Sequence, residues 1–197
     1  MNIWITSDTH FNHKNIAGPK LSSWKSGYRS FGSVQEMNVA LIKNINDCVK
    51  ENDILYHLGD WSFGSAHNIL LFRKALICKN IHLILGNHDQ HIVDEEIEFD
   101  GGSFNPMELF SSVQNTFTGH IGKNYFHLSH YSHRVWPGSH KGCIHLYGHS
   151  HGSIEDYGKS MDVGVDAHKE FRPYHINEIL EMMSKRDTPN VDHHEKK

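Results

Sequence analysis

Five short polar motifs carry residue types that bind metal ions and move protons: Asp8-Thr9-His10, Gly59-Asp60, Gly86-Asn87-His88-Asp89, Ser129-His130-Tyr131 and Gly148-His149-Ser150-His151. Their donors are Asp8, His10, Asp60, Asn87, His130, His149 and His151, hard oxygens and borderline nitrogens with no thiolate among them. That set suits Mn²⁺, Fe²⁺, Zn²⁺ or Ni²⁺ better than a structural zinc knot. In Asp8-x-His10 and His149-x-His151, residues two apart point to the same side of an extended chain. Seven donors fill two coordination spheres only if one is shared. A shared carboxylate bridges two ions at roughly 3.5–4 Å, the spacing of two-metal catalysis. The glycines before Asp60, Asn87 and His149 allow tight turns beside the ions.

Each motif follows a predicted strand. Ile3–Ser7 is a short β-rich apolar run, and Asp53–Leu58 and Asn80–Leu85 are two more. Asn124–Leu128 and Cys143–Tyr147 precede the last two motifs, and Met161–Val165 is a sixth strand candidate. A Gly/Ser/Lys-rich loop from Asn12 to Gly32 leads to Ser33, which has Glu36 three residues on, the pattern of a capping box. Val34, Met37, Leu41, Ile45, Cys48 and Val49 then make one apolar helical face ending near Glu51. Ser65 is placed to cap a helix running to about Leu76, and Asn177 a final helix, Glu178–Lys185. Strand, helix, strand, helix, strand at this spacing implies right-handed crossovers and a parallel sheet. Ligands bind at the carboxyl ends of such strands, so the five motifs are expected to converge on one place.

Composition narrows the classes. Histidine supplies 19 of the 197 residues, several times ordinary usage, and histidine is both the commonest metal ligand and the usual acid–base group near neutral pH. A formal charge of −4 from 19 basic and 23 acidic residues excludes a basic nucleic-acid coat, and no long nucleic acid is expected as a partner. The length fits one domain, 1–185, followed by a polar and flexible tail, 186–197. Cys48, Cys78 and Cys143 are odd in number and far apart, which disfavours a disulfide framework and points to a reducing cytoplasm. No apolar run approaches the 18 or so residues of a membrane span, and Met1-Asn2-Ile3-Trp4 does not open a signal peptide.

In their order along the chain, from Asp8-Thr9-His10 to Gly148-His149-Ser150-His151, these motifs resemble the blocks of the calcineurin-like metallophosphoesterase superfamily. The likeness is nearest to its small, capless bacterial and phage phosphoesterases. It extends through Asp8-Thr9-His10-Phe11-Asn12-His13, His57-Leu58-Gly59-Asp60, His133-Arg134 and Asp162-Val163-Gly164-Val165-Asp166. The resemblance implies a four-layer α/β/β/α sandwich of two mixed sheets flanked by helices. It implies one ion on Asp8, His10, Asp60 and His151 and a second on Asp60, Asn87, His130 and His149, with Asp60 bridging. The nucleophile would be a hydroxide bridging the two ions, with His88 as general acid and Asp89 beside it as an orienting group. Mn²⁺ is the expected ion, with Fe²⁺, Zn²⁺ or Ni²⁺ as alternatives.

Departures from the family narrow the activity. Phe63 stands where purple acid phosphatases carry a Tyr, and the Asp-Arg-Gly of Ser/Thr protein phosphatases is absent after Asp60. His88 is present, unlike in the family's non-catalytic scaffold member. The reading is a phosphodiesterase acting on a small, nucleotide-type or other phosphodiester. The alternatives are a phosphomonoesterase of the same fold or a metal-containing protein-interaction scaffold. Arg134, His13 and His133 are the candidate substrate contacts, and Arg29 is a weaker one. Trp61, Phe63 and Trp136 are candidates for stacking on a base or for simple packing. His57 and His145, inside strands, are expected in supporting or core roles.

Overall fold

The expected alternation of strands and helices opens the computed structural model, which describes residues 1–99 and 101–188. In chain order the elements are β1 (Ile3–Thr6), α1 (Lys14–Ala17), α2 (Val34–Cys48), β2 (Ile54–His57), α3 (His67–Ala75), β3 (Asn80–Ile84) and α4 (Gln90–Asp94). There follow β4 (Ile97–Phe99), β5 (Gly102–Phe104), β6 (Ser112–Gln114), β7 (Thr116–Ile121), β8 (Asn124–Ser129), β9 (Ile144–Tyr147), β10 (Ser160–Asp162), β11 (Tyr174–His175) and α5 (Ile176–Ser184). One sheet has the order β11-β1-β2-β3-β6 and a second the order β10-β9-β8-β7, with β4 and β5 a separate hairpin. In the first, β1, β2, β3 and β6 are parallel, in the register Ile3↔Ile54 and Ile54↔Asn80, and β11 is antiparallel at the edge. In the second, β8, β9 and β10 are parallel and β7 is antiparallel.

Side-chain alternation builds the layers. Leu55, Ile81 and Leu83 face outward onto Ile45 and Val49 of the α2 end and Ile69 and Phe72 of α3. Ile5, Tyr56 and Ile84 face inward onto Phe126, Leu128, Ile144, Leu146 and Met161 of the second sheet, and Ile179 and Met183 of α5 join that core. The outer face of the second sheet carries His145, against which the Trp136 ring packs at 5.3 Å. The segment bearing Trp136 ends in a short helical turn, Ser139–Lys141. The protein is thus a mixed α/β sandwich whose two mixed sheets are flanked by helical segments, as expected.

The caps show where local signals succeed and fail. Ser33 Oγ accepts from Glu36 N at 3.0 Å, as predicted, but Glu36 Oε2 accepts from Gly32 N rather than from Ser33 N, so only half of the box forms around Ser33. Ser65 does not cap α3, which begins two residues later behind Ala66 with no side-chain cap. Asn177 does not cap α5; His175 Nδ1 accepts from Asn177 N at 3.2 Å, and Glu178 Oε2 accepts from His175 N at 2.7 Å. A histidine can supply this acceptor only as the neutral ring, which is why the usual Ser/Thr/Asp/Asn signal misses it. The three-residue strands between α4 and β7 carry too few residues to show a period and were not expected. The expected tail lies largely, over 189–197, outside the described residues; its first residue, Arg186, donates to the carbonyl of Ser160 and to Asp156 Oδ2.

Glu178 joins the α5 cap to Arg172, whose guanidinium reaches it at 2.7 and 3.0 Å. The Arg172 hydrogen bond, assisted by the His175 amide, holds the Glu178 carboxyl down to about 2 against its partial burial. Because the folded value lies below the unfolded one, this stabilisation is present above about pH 4.5 and is lost as pH falls toward about 2. Glu178→Gln is expected to destabilise the fold by about 1 kcal/mol at pH 7, the scale of a helix cap once solvent screening is allowed for. The difference from wild type should shrink steadily as pH falls below about 4.5 toward about 2. Thermal unfolding of both proteins across pH 2.5–7 checks this, and a constant offset across that range would refute it.

Candidate metal centre

The loops leaving β1, β2, β3, β8 and β9 meet at one edge of the sandwich. They are stitched by main-chain bonds: Asp8 N to Gly59 O at 2.9 Å, His10 N to Asp60 O at 2.9 Å, and Gly148 N to His130 O at 2.9 Å. Asp8, His10, Asp60, His149 and His151 all adopt positive φ, between 47° and 64°. That region costs a residue with a Cβ about 1–3 kcal/mol and clusters at functional sites. Asp89 holds part of this conformation in place. Its buried carboxylate accepts from Asp60 N (2.8 Å), Trp61 N (2.9 Å) and Gly86 N (2.8 Å), fastening the second and third loops together. Asp89 therefore orients the loops, facing backbone amides rather than a reacting group. Two glycines are required by close approach: a Cβ at Gly148 would lie 2.4 Å from Asp8 Oδ2, and one at Gly86 would lie 2.3 Å from Asp60 Oδ1.

Six of the predicted donors fall into two groups that could each hold a metal ion: Asp8, His10 and His151, and Asp60, His130 and His149. Within each group the ligand atoms lie within 4.8 Å of one another. Asp60 joins the groups. Its Oδ2 stands 3.4 Å from His10 Nε2 and 3.5 Å from His130 Nε2, while its Oδ1 accepts from His88 N at 3.0 Å. Asn87 Oδ1 lies 3.0 Å from His130 Nε2, which brings the seventh predicted donor to the second group. His88 belongs to neither group; its ring stands edge-on to that of His10, with centroids 5.4 Å apart.

The donor set fits divalent cations by a test independent of its resemblance to known sites. Both ring nitrogens of His10 are buried and lack a hydrogen-bond partner, a state that costs about 1–3 kcal/mol for an unmet polar atom. A cation at Nε2 would meet one of them. Burial also holds His10 well below the usual histidine value, so the ring is neutral and its lone pair is free to ligate. Burial lifts the Asp8 carboxyl to about 7, a strongly unfavourable place for a lone anion. At Asp60 burial works in the same direction, but the hydrogen bond and charge of His130 and the charge of His10 prevail, holding it well below the carboxylate range. Asp60 in turn overcomes the burial of His130 and raises that ring to about 9.

A second set of groups fixes the candidate donors from behind. His151 Nδ1 lies 2.7 Å from Asp166 Oδ2, and Arg29 donates to both oxygens of Asp166 at 2.8 Å. Arg29 also donates to the carbonyls of Asp8 (2.6 Å) and Thr9 (3.0 Å). Its guanidinium is thus buried and committed, which corrects the expectation of a substrate contact. Burial works to raise Asp166, but Arg29 and His151 hold it well below the usual value. Sequence reasoning noted the Asp162-to-Asp166 segment without seeing this role, because Arg29 and Asp166 stand 137 positions apart.

Other predicted residues land in varied places. His13 is buried beside the first group, its ring stacked on Phe63 at 3.8 Å and 5.2 Å from that of His10; burial pushes it down to about 4. His133 is not brought to the centre. Its Nδ1 lies 3.1 Å from His127 Nε2 and its ring stacks on His145, on the outer face of the second sheet. Arg134 lies over the Tyr157 ring at 4.9 Å and contacts no donor of either group. Trp61 and Trp136 are buried in packing and cannot stack on a ligand; Phe63 is 37% exposed at the rim. His57 Nε2 lies 2.9 Å from Thr9 Oγ1, a supporting bond beneath the first motif.

A mixed α/β sandwich with metal-competent Asp/His groups at its strand ends is the fold of a metallophosphoesterase. The chain belongs to the calcineurin-like phosphoesterase family, whose model matches residues 1–178. It is 38% identical to the protein MJ1445 of Methanocaldococcus jannaschii over 135 residues, 65% of this chain and 70% of that one. Among solved structures, the protein AQ665 of Aquifex aeolicus matches 92% of this chain and 98% of its own, with a TM-score of 0.59 at 18% identity, a likeness of fold. A structure described as a novel archaeal phosphodiesterase matches 83% of this chain and 82% of its own, with a TM-score of 0.48 at 22% identity, too distant to inform the activity.

Asp166→Asn should weaken Mn²⁺ binding by about 10–100-fold, the usual effect of removing a carboxylate that orients a ligating histidine. Calorimetric Mn²⁺ titration of the folded variant measures this. Unchanged affinity would show that Asp166 does not govern His151.

Proposed function

We propose that the protein is a hydrolase of small phosphodiesters, nucleotide-type or otherwise, that works with two divalent ions, Mn²⁺ in the first instance. The observation that carries this reading is the position of Asp60 Oδ2 between His10 and His130, which lets one carboxylate serve both donor groups. In this reading Asp8, His10, Asp60 and His151 hold one ion and Asp60, Asn87, His130 and His149 the other. When bound, such ions supply Lewis acidity toward phosphoryl oxygens and lower the pKa of water.

The chain's own groups supply the rest. His88 stands outside both donor groups, so its ring is free to pass a proton to the departing oxygen. The bond from its backbone N–H to Asp60 Oδ1 fixes the base of the side chain relative to the centre. Asn87 and His149 are exposed, which leaves the second group open to a substrate from solvent. A diester presents one ester oxygen for departure and carries a second substituent that needs room. The open rim supports a diester over a substrate enclosed on all sides. Cys48, Cys78 and Cys143 are free thiols, in keeping with a cytoplasmic setting. Among the described residues no helix is long and apolar enough to cross a membrane.

Hydrolysis of bis(p-nitrophenyl) phosphate and of p-nitrophenyl phosphate, with Mn²⁺ and with chelator, tests the reading. The diester should turn over faster, and chelation should abolish the activity. His88→Ala should keep its metal and lose about 10²–10⁴-fold in turnover, whereas Asp60→Ala should lose metal by elemental analysis. Full activity in the first variant, or two retained ions in the second, refutes the assigned roles. A faster monoester makes the protein a phosphomonoesterase, and silence on both substrates favours a non-catalytic scaffold.

A further inference from the structure

Two large aromatic side chains stand partly exposed on either side of His13, next to the donor groups. Phe63 is 37% and Trp24 45% exposed. Phe63 is held firmly: its N–H donates to Phe11 O at 2.8 Å, and its carbonyl accepts from Asn68 Nδ2 at 2.8 Å. One face of its ring lies flat on His13, at 3.8 Å and 12°, and the His88 ring stands 5.5 Å away at 65°. Trp24 stands at 85° to the same His13 ring, with centroids 5.4 Å apart. The Phe63 and Trp24 ring planes are therefore close to perpendicular, and His13 is the corner both rings pack on. His13 in turn contacts the rings of His10 and His88, which joins this corner to the metal centre.

From this geometry we infer that Phe63 and Trp24 form a subsite for a flat aromatic ring, a nucleobase or an aryl group, on the part of the ester that departs past His88. The inference rests on the hydrolase reading above and names its substrate class. Aromatic faces take any planar ring by offset stacking, so the face of Phe63 turned away from His13 is a platform for one. A Phe in a rigid turn is a low-entropy platform, since only two side-chain torsions need to be fixed. The subsite gives the long loop between β1 and α2 a second purpose: Arg29 anchors it to the ligand loops, and Trp24 reaches the rim.

Binding to the Mn²⁺-loaded protein, measured by calorimetry, tests the subsite without needing turnover. Adenosine 5′-monophosphate should bind about 10-fold more tightly than ribose 5-phosphate, the scale of one stacked base. Phe63→Ala should erase that preference, Phe63→Tyr should keep it, and Trp24→Ala should reduce it. Phenyl phosphate separates the two ring sources: binding as tight as the nucleotide assigns the subsite to aryl groups in general, and weaker binding assigns it to nucleobases. Equal affinity of the wild type for nucleotide and sugar phosphate, or an unchanged preference in Phe63→Ala, overturns the subsite. Neither result depends on hydrolysis, so loss of the subsite and failure of the bis(p-nitrophenyl) phosphate assay are separate outcomes.

Discussion

The site depends on backbone held against its own preference. Asp8, His10, Asp60, His149 and His151 turn left-handed at the ends of parallel strands, and each such turn opposes folding. The surrounding structure over-determines them with buried carboxylates that accept from loop amides. Asp89 takes three amides from two loops. Asp8 takes the amide of His149 on both oxygens at 3.0 Å, and Asp162 takes those of Gly152 and Gly164 at 2.8 and 2.7 Å. A buried carboxylate is costly alone and acceptable when hydrogen-bonded. The same bonds that make these acids tolerable in the interior also fix the ligand loops.

Much of the fold was legible because each ligand motif sits where an apolar run stops. Period-two burial of Leu55, Ile81 and Leu83 reports strands, and the parallel order of β1, β2 and β3 places their ends together. That argument needed only local pattern and one topological rule. The groups that orient the ligands were not legible, since Asp166 and Arg29 act through partners far off in the chain. No local signal distinguishes Asp89 as a three-amide acceptor from any acid after Asn-His. Likewise, nearness in sequence misled for His133, which follows His130 by three residues yet pairs with His127 and His145. The chain turns after His130 and carries His133 to the outer face of the second sheet.

The histidine excess also resolves into distinct physical uses. His10, His130, His149 and His151 gather at the two donor groups, and His88 stands beside them. Another set works as neutral, hydrogen-bonding aromatic filler. Burial pushes His57 and His145 down to about 3 and His127 down to about 4. Their ring nitrogens meet Thr9, the amide of His133 and Thr118 respectively. His82 meets Ser112 Oγ at 2.8 Å between neighbouring strands, and His175 caps α5. A neutral imidazole offers one donor and one acceptor on a flat ring, which suits an interior position needing both packing and a hydrogen bond.

The two uses meet along the segment from Asp8 to Arg29. Its start supplies two of the candidate donors, Asp8 and His10, in left-handed backbone, and its end returns Arg29 to the carbonyls of Asp8 and Thr9. The loop is therefore closed on itself by a guanidinium whose charge Asp166 balances, and Asp166 is also the partner of His151. Breaking that buried pair on one side would leave an uncompensated charge beneath both a loop and a ligand. Rigidity at the inner end of the loop and exposure at Trp24 follow from the same arrangement: the buried ties run through Arg29 to the ligand-motif carbonyls, while the outer residues tie to their loop neighbours, as Trp24 N does to Ser22 Oγ.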